Sequence, residues 1–329
     1  MDLDGDGDQD LLSGSWPGEL FFFRRETDGS FAAPIMLQDE NDDYINIGGG
    51  IEDGRDQILI TGNAEFETVD GKTFAIYHGK RIESTDEKGV AITGTASAVH
   101  ACDWDDDGDF DLLVGDIGGS VYLIPNLGTK TKWQFGREGR LAARGTPIHV
   151  EGDAGPFAAD WDGDGDLDLL VGDGHGTVSL FTNEGSRTKP KLARAAVLVQ
   201  GTGWREEPPA SPQCGLRVKI CATDWNGDGK LDLLLGDYAT RKPDLPAPTP
   251  EQQKANDAAR AELAKLQDLY GPLVDKLHGS TRVKDPDERS RLQKEYTSLR
   301  EKMTALREGL PPEAETHGWI WLFLREAPR

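Results

Sequence analysis

Four short stretches of this chain set acidic side chains at alternate positions around glycine: DLDGDGDQDLLSG from Asp2, DWDDDGDFDLLVG from Asp103, DWDGDGDLDLLVG from Asp160 and DWNGDGKLDLLLG from Asp224. The candidate ligating positions are Asp2, Asp4, Asp6, Asp8 and Asp10; Asp103, Asp105, Asp107, Asp109 and Asp111; Asp160, Asp162, Asp164, Asp166 and Asp168; and Asp224, Asn226, Asp228, Lys230 and Asp232. Such spacing suits Ca²⁺, which takes about six to eight oxygens at about 2.3–2.6 Å, because a tight loop turns successive carboxylates toward one centre. In the third copy the donors are expected to be Asp160, Asp162, Asp164 and Asp168, with the backbone carbonyl of Asp166 between them. Gly165 permits the sharp turn that a Cβ would obstruct, as do Gly7, Gly108 and Gly229. In the fourth copy Asn226 replaces an acid and Lys230 stands where only a carbonyl is needed, so this loop is expected to bind calcium more weakly. The chain is thus expected to hold up to four Ca²⁺.

Two other readings of the acids fail. An EF-hand needs a bidentate Glu at the twelfth position and flanking helices, but that position is Ser13, Val114, Val171 or Leu235. Merely solvated turns would leave four or five carboxylates repelling one another at close range. Each loop leads into a short apolar run ending in glycine, then a turn and a second apolar run: LLVGD, IGG, SVYLIPN after the second loop and LLVGD, GHG, TVSLFTN after the third. These are hairpin patterns. The first copy reads LLSGS, WPG, ELFFFRR, with an outer strand expected around AAPIML.

With its DxDxDGxxDLLxG pattern the chain resembles the FG-GAP/VCBS repeat family, over roughly residues 1–238 and 317–329. The resemblance implies an integrin-α-like calcium-binding β-propeller, with calcium held between the first two strands of a blade and an extracellular binding or scaffold role. The expected fold is therefore mainly β: about four calcium-loop blades and an inserted antiparallel α-helical hairpin. An integrin-type ring has seven blades, and the four loops here leave open whether a ring closes. The starts at Asp103, Asp160 and Asp224 are spaced for four-stranded blades, whereas the longer interval from Asp2 to Asp103 implies an insertion. Residues 41–95 carry two strand-like runs, QILITG at 57–62 and TFAIYHG at 73–79, and read as an elaboration of the first blade or a degenerate blade without metal. Trp104, Trp161 and Trp225 recur at one loop position and are expected to pack between blades. Met1 precedes the first loop directly, so upstream sequence is expected to supply a strand and an export signal.

The fourth repeat breaks after LLLGDY and resumes at HGWIWLFLR, 317–325, around an insertion at 239–316. KPDLPAPTP reads as an extended linker. Thr249, Pro250 and Gln252 form a capping box for a first helix with Leu263, Leu266, Leu269, Leu273 and Leu277 on one face, a kink at Gly271-Pro272 and a stop at Gly279. A second helix starts at Asp285-Pro286, carries a heptad seam of Leu292, Tyr296, Leu299, Met303 and Leu306, and ends at Gly309, giving a coiled-coil-like hairpin that is either a self-contained decoration or a docking arm.

The formal net charge of −23 would repel phosphate backbones and anionic membranes, and no apolar run is long enough to span a bilayer, so neither nucleic acid nor membrane insertion is expected. Cys102, Cys214 and Cys221 lack CxxC spacing and read as small buried residues. No GxSxG, HExxH, CxxCH or phosphate-loop motif occurs. His100 and His149 fall before expected strands, and His175 and His317 at hairpin turns. No catalytic residue is assigned. The favoured function is a calcium-binding adhesion or scaffold module that meets a protein or glycan at the propeller rim or helical arm; the alternative is a calcium-stabilised polysaccharide lyase or hydrolase. Because extracellular loop sites work at about 10⁻⁴–10⁻³ M calcium, the expected location is extracellular, periplasmic or at the cell surface.

Overall fold

A computed structural model describes the chain except for residues 48–49, 54–56, 62–63, 70–71, 78, 86–87, 204–213, 242, 279–282, 284, 313 and 327–329. It divides into two compact units, Met1–Ala239 with His317–Arg329, and Thr240–Thr316.

The first unit is mainly β and repeats one element, an antiparallel meander whose first two strands are joined by an Asp-rich loop. The second copy pairs Ala98–Cys102, Asp111–Gly115, Val121–Ile124 and Gly139–Arg140 in that order; the third pairs Gly155–Ala159, Asp168–Gly172, Val178–Phe181 and Ala196–Val199. In the fourth, Asp232–Arg241 pairs with Leu216–Thr223 on one side and with Ile320–Phe323 on the other, so the strand beyond the insertion completes the interrupted repeat. The first copy has three strands, Leu11–Gly14, Leu20–Phe23 and Ile35–Met36. Register is constant: Leu11, Leu112, Leu169 and Leu233 lie opposite Phe23, Ile124, Phe181 and Phe323.

The DLLVG strands are apolar at consecutive positions because both faces are covered, as strands sandwiched on two sides require. Between the first and second sheets lie Leu20, Phe22, Leu112 and Val114; between the second and third, Trp104, Leu113, Val121, Leu169 and Val171; between the third and fourth, Trp161, Leu170, Val178, Leu233 and Leu235. A backbone clasp repeats at each junction. The N–H groups of Ser97, Ala154 and Val218 donate to the carbonyls of Ser15, Asp116 and Asp173 at 3.0, 2.9 and 3.0 Å. This close approach explains the glycine ending each strand, since a Cβ on Gly14, Gly115 or Gly172 would stand 2.1, 2.1 or 2.3 Å from a carbonyl of the next repeat. Gly236, at the same position in the last repeat, has nothing within 4 Å.

Residues 50–93 form six strands rather than the two that the apolar runs suggest. Gly50–Asp53, Gln57–Thr61 and Gly89–Thr93 make one sheet, and Glu65–Val69, Lys72–Tyr77 and Lys80–Ser84 another. Glu65–Val69 is exposed along its whole length, so it shows no apolar alternation to read. Gly62 and His78, within the expected runs, lie outside the described residues.

The second unit holds two helices, α1 (Pro250–His278) and α2 (Pro286–Glu308). The capping box is present: the Thr249 N–H donates to Gln252 Oε1 at 2.9 Å and the Gln252 N–H to Thr249 Oγ1 at 3.2 Å. Asp285 caps α2 by accepting from the Glu288 N–H at 2.8 Å. The helices share Leu263, Leu266, Leu273, Leu277, Leu299 and Met303, with Tyr270 stacked on Tyr296 at 5.3 Å. Leu269 is 60% exposed, because Tyr270 takes the seam position expected of it. Helix α1 runs on through Gly271-Pro272, and its expected stop, Gly279, lies outside the described residues. No described helix is long and apolar enough to cross a membrane.

Candidate metal centres

The loops have one backbone design. Their sixth residues, Gly7, Gly108, Gly165 and Gly229, have φ of 98°, 98°, 98° and 83°, a left-handed conformation that side chains with a Cβ resist. In the last three loops the first aspartate accepts from the turn it opens: Asp160 Oδ1 from the Gly163 N–H at 2.8 Å and Oδ2 from the Gly165 N–H at 3.1 Å, Asp103 from Asp107 and Gly108, and Asp224 from Gly227, Asp228 and Gly229. The third and fifth residues accept two positions on, as from the Asp164 N–H to Asp162 and the Asp166 N–H to Asp164.

This folding gathers three carboxylate triads among the described residues: Asp2, Asp4 and Asp10; Asp103, Asp105 and Asp107; Asp160, Asp162 and Asp164. One oxygen from each residue lies within 4.8 Å of the others. The Asp224 loop is not among them, and there the Asn226 amide donates to Asp228 Oδ2 at 3.2 Å. Asp6 accepts from the Asp8 N–H at 2.9 Å, outside the first triad. Lys230 donates its backbone N–H to Asp228 Oδ1.

The crowding is electrostatically unfavourable. Burial, reinforced by the Asp107, Asp105 and Asp103 charges, pushes the Asp109 carboxyl up to about 6. Burial also pushes Asp111 up to about 7, against the lowering effect of hydrogen bonds from Asn126 and Trp104. Asp4, Asp105, Asp166 and Asp168 move the same way, burial first. Three buried oxygens, Asp2 Oδ1, Asp109 Oδ1 and Asp166 Oδ1, have no hydrogen-bond partner. Acceptor-only oxygens, desolvated, crowded and orphaned, suit a hard dication, so the donor set fits Ca²⁺.

The ninth aspartate has a second task that the pattern did not reveal. One of its oxygens accepts from the second loop residue, at Leu3, Trp104, Trp161 and Trp225. The other accepts from the backbone just beyond the hairpin's outgoing strand, at Arg25, Asn126, Asn183 and Arg325. Each carboxylate thus ties a loop to its own sheet, and Asp232 does so across the insertion. Also missed were Asp116 and Asp173, which accept turn N–H groups from Ser120 and Thr177, and Asn126 and Asn183, each accepting two backbone N–H groups. The only sequence signal was their recurrence in LLVGD and in the IPN and FTN endings.

Other expected positions differ. Trp104 and Trp161 are buried between sheets, but Trp225 is 60% exposed because, among the described residues, no sheet stacks beyond the fourth. Cys221 is exposed for the same reason, while Cys102 is buried; all three cysteines are free. His100 lies inside its strand, its ring tilted against Phe157 with centroids 4.3 Å apart, and His317 ends a strand rather than marking a turn.

Residues 103–171 and 160–235 each match the FG-GAP-like repeat. A search of curated proteins gives no match. The matched segments are the second, third and fourth loops with their strands, and they support an assignment to the FG-GAP repeat family.

Proposed function

We propose that this chain is a calcium-binding adhesion or scaffold module. The loops at Asp2, Asp103 and Asp160 each hold one Ca²⁺ and the loop at Asp224 a fourth, more weakly. The stacked sheets of residues 1–238 and 317–329 are propeller-type blades, and residues 239–316 form an inserted linker and helical hairpin. The observation that carries this reading is the set of three carboxylate triads beside orphaned, buried carboxylate oxygens.

Bound calcium would neutralise the crowded carboxylates and make the loops rigid. The chain's own part is to hold them ready: positive-φ glycines close the turn, and the ninth aspartate fastens it to the sheet. Every carboxyl pushed upward among the described residues belongs to one of these loops, which favours metal binding over an acid–base site elsewhere. A protein or glycan partner at the sheet rims or the hairpin, outside the cytoplasm, is consistent with sites of about 10⁻⁴–10⁻³ M.

The test is thermal unfolding in chelator, calcium and magnesium. Calcium at about one hundred times its Kd should add about 2.7 kcal/mol per site through mass action. Identical melting in calcium and chelator would defeat the metal reading. Retention on protein or glycan arrays that is lost in chelator would support the adhesion reading, and calcium-independent retention would count against it.

A further inference from the structure

In the second and third repeats the chain beyond the hairpin turns back on itself and touches the Asp-rich loop of the repeat before it. In the second repeat, Thr129 and Lys132 exchange two backbone hydrogen bonds of 3.0 Å, and Thr131, at the corner of that turn, lies so close to Gly5 that a Cβ there would stand 2.5 Å from its methyl group. In the third, Ser186 and Lys189 exchange the same pair of bonds at 3.3 and 2.9 Å, and the corner residue in contact is Arg187. Its Nε donates to Asp106 Oδ1 in the second loop, and its Nη1 donates to the Gly165 carbonyl in the third at 3.1 Å. One guanidinium therefore holds two loops, and both are loops that gather a carboxylate triad. The charges of Asp103 and Asp160, the first aspartate of each, act on it as well. Its partner is also out of pattern. Asp106 fills the fourth loop position, where the other loops have Gly5, Gly163 and Gly227 at φ of 76°, 82° and 76°, and it takes φ of 60°, a left-handed conformation that a Cβ opposes.

We infer that Arg187 is a built-in counter-ion shared by the second and third loops, which holds both folded without metal and sets their calcium affinity below what the carboxylates alone would give. The inference rests on the calcium reading proposed above and names a control on those sites. An isolated exposed ion pair contributes little, but here a single cation meets two crowded sets of carboxylates, and its effect is that of a network. Calcium removes two units of negative charge from each loop it enters, so Arg187 is held less strongly once the ions are bound. A group that stabilises the metal-free form more than the loaded form must weaken binding by the same factor. The sign separates this role from a simpler one. If Arg187 served only to brace the Gly165 carbonyl and the turn around it, removing it would loosen the site and weaken calcium binding; as a counter-ion, its removal tightens binding while making the metal-free protein less stable.

Calcium titration of the full chain, followed at the amide resonances of Gly7, Gly108, Gly165 and Gly229, reads the four loops separately. Arg187→Gln should bind calcium about two- to fivefold more tightly at Gly108 and Gly165, the range open to an exposed charge acting on a dication, and leave Gly7 and Gly229 unchanged. Arg187→Lys keeps the charge and should stay close to wild type. Thermal unfolding is the second readout: in chelator Arg187→Gln should melt about 1–3 °C below wild type, in calcium the gap should be smaller, and in chelator it should close as salt is raised to about 0.5 M. Wild-type amides that ignore calcium would overturn the metal reading and this inference with it. Wild-type amides that respond, with calcium binding weakened or unchanged in Arg187→Gln, altered at only one of the two loops, or altered equally by Arg187→Lys, would overturn the inference alone, as would a melting gap that is the same in chelator and calcium.

Discussion

Replacing Asp168 by Ala separates the two tasks of a loop carboxylate. In the folded protein Asp168 Oδ2 accepts from the Trp161 N–H at 3.0 Å and Oδ1 from the Asn183 N–H at 2.7 Å, both buried. Alanine leaves two buried donors without partners, at about 1–3 kcal/mol each, or about 4 kcal/mol together. Relief acts in the other direction, because burial raises the Asp168 carboxyl and its charge is unfavourable before metal binds. The net loss therefore stays below the largest sum, at about 2–4 kcal/mol. Asp162, by contrast, is exposed and accepts only from the Asp164 N–H at 3.3 Å, so Asp162→Ala should cost no more than about 0.5 kcal/mol in chelator. Calcium reverses the comparison for Asp162→Ala, which should lose the ion's contribution and fall below wild type by about 2–3 kcal/mol at saturation. Urea unfolding followed by tryptophan emission is the assay, since the segment 240–316 has no tryptophan and the signal comes from the first unit. The reasoning is refuted if Asp168→Ala matches wild type in chelator, or if Asp162→Ala is as damaging in chelator as in calcium.

Gly172→Ala should destabilise the sheets by about 1–3 kcal/mol, since its Cβ would meet the Val218 carbonyl at 2.3 Å, while Gly236→Ala should be neutral within about 0.5 kcal/mol; paired urea titrations decide. Asn226→Asp adds a charge to the Asp224 loop and should tighten its calcium binding about tenfold in a site-resolved titration, one unit of charge near a dication being worth ~1–2 kcal/mol in a wet site. Burial against Phe157 pushes His100 down from 6.5 to about 4, so the unfolded chain takes up this proton first. Its contribution is whole above about pH 6.5 and declines as pH falls toward 4, by up to about 3 kcal/mol. In chelator, the stability difference between wild type and His100→Gln should therefore change over that window, and a constant difference would refute the assignment.

The loops were legible because acids at alternate positions around glycine recur four times at fixed spacing, and the strands after them because LLVG is apolar on both faces. Legibility failed where solvent meets both faces of a strand, as at Glu65–Val69, which is exposed at every position. It failed again where repetition in sequence is not repetition of environment. Trp225 repeats Trp104 and Trp161 by type, yet burial is set by the neighbour, and the fourth sheet has none among the described residues. In α1, an internal proline costs roughly 3 kcal/mol. Tyr270 and Leu266 before Pro272, with Leu273 and Leu277 after it, pack into one seam with α2, and that burial offsets the loss. The second use of the ninth aspartate was hidden because one residue type answers two demands, and only the positions of the backbone donors tell them apart.

Those donors also show how an ion at the loop can act on the stack. Trp161 gives its backbone N–H to Asp168 and buries its ring with Leu233 and Leu235 of the next sheet, while the Arg325 guanidinium lies 4.7 Å from that ring and donates to the Trp161 carbonyl. The residue beside the first aspartate of the loop is therefore the residue that joins two repeats. Anything that loosens the Asp160–Asp168 turn must move Trp161, and anything that moves Trp161 opens the contact between the third and fourth sheets. Calcium bound at the rim would in this way stabilise packing it does not touch, and chelation should raise amide exchange at Val218 and Leu233 as well as within the loop itself. Exchange that rises only in the loop would separate the metal sites from the stacking.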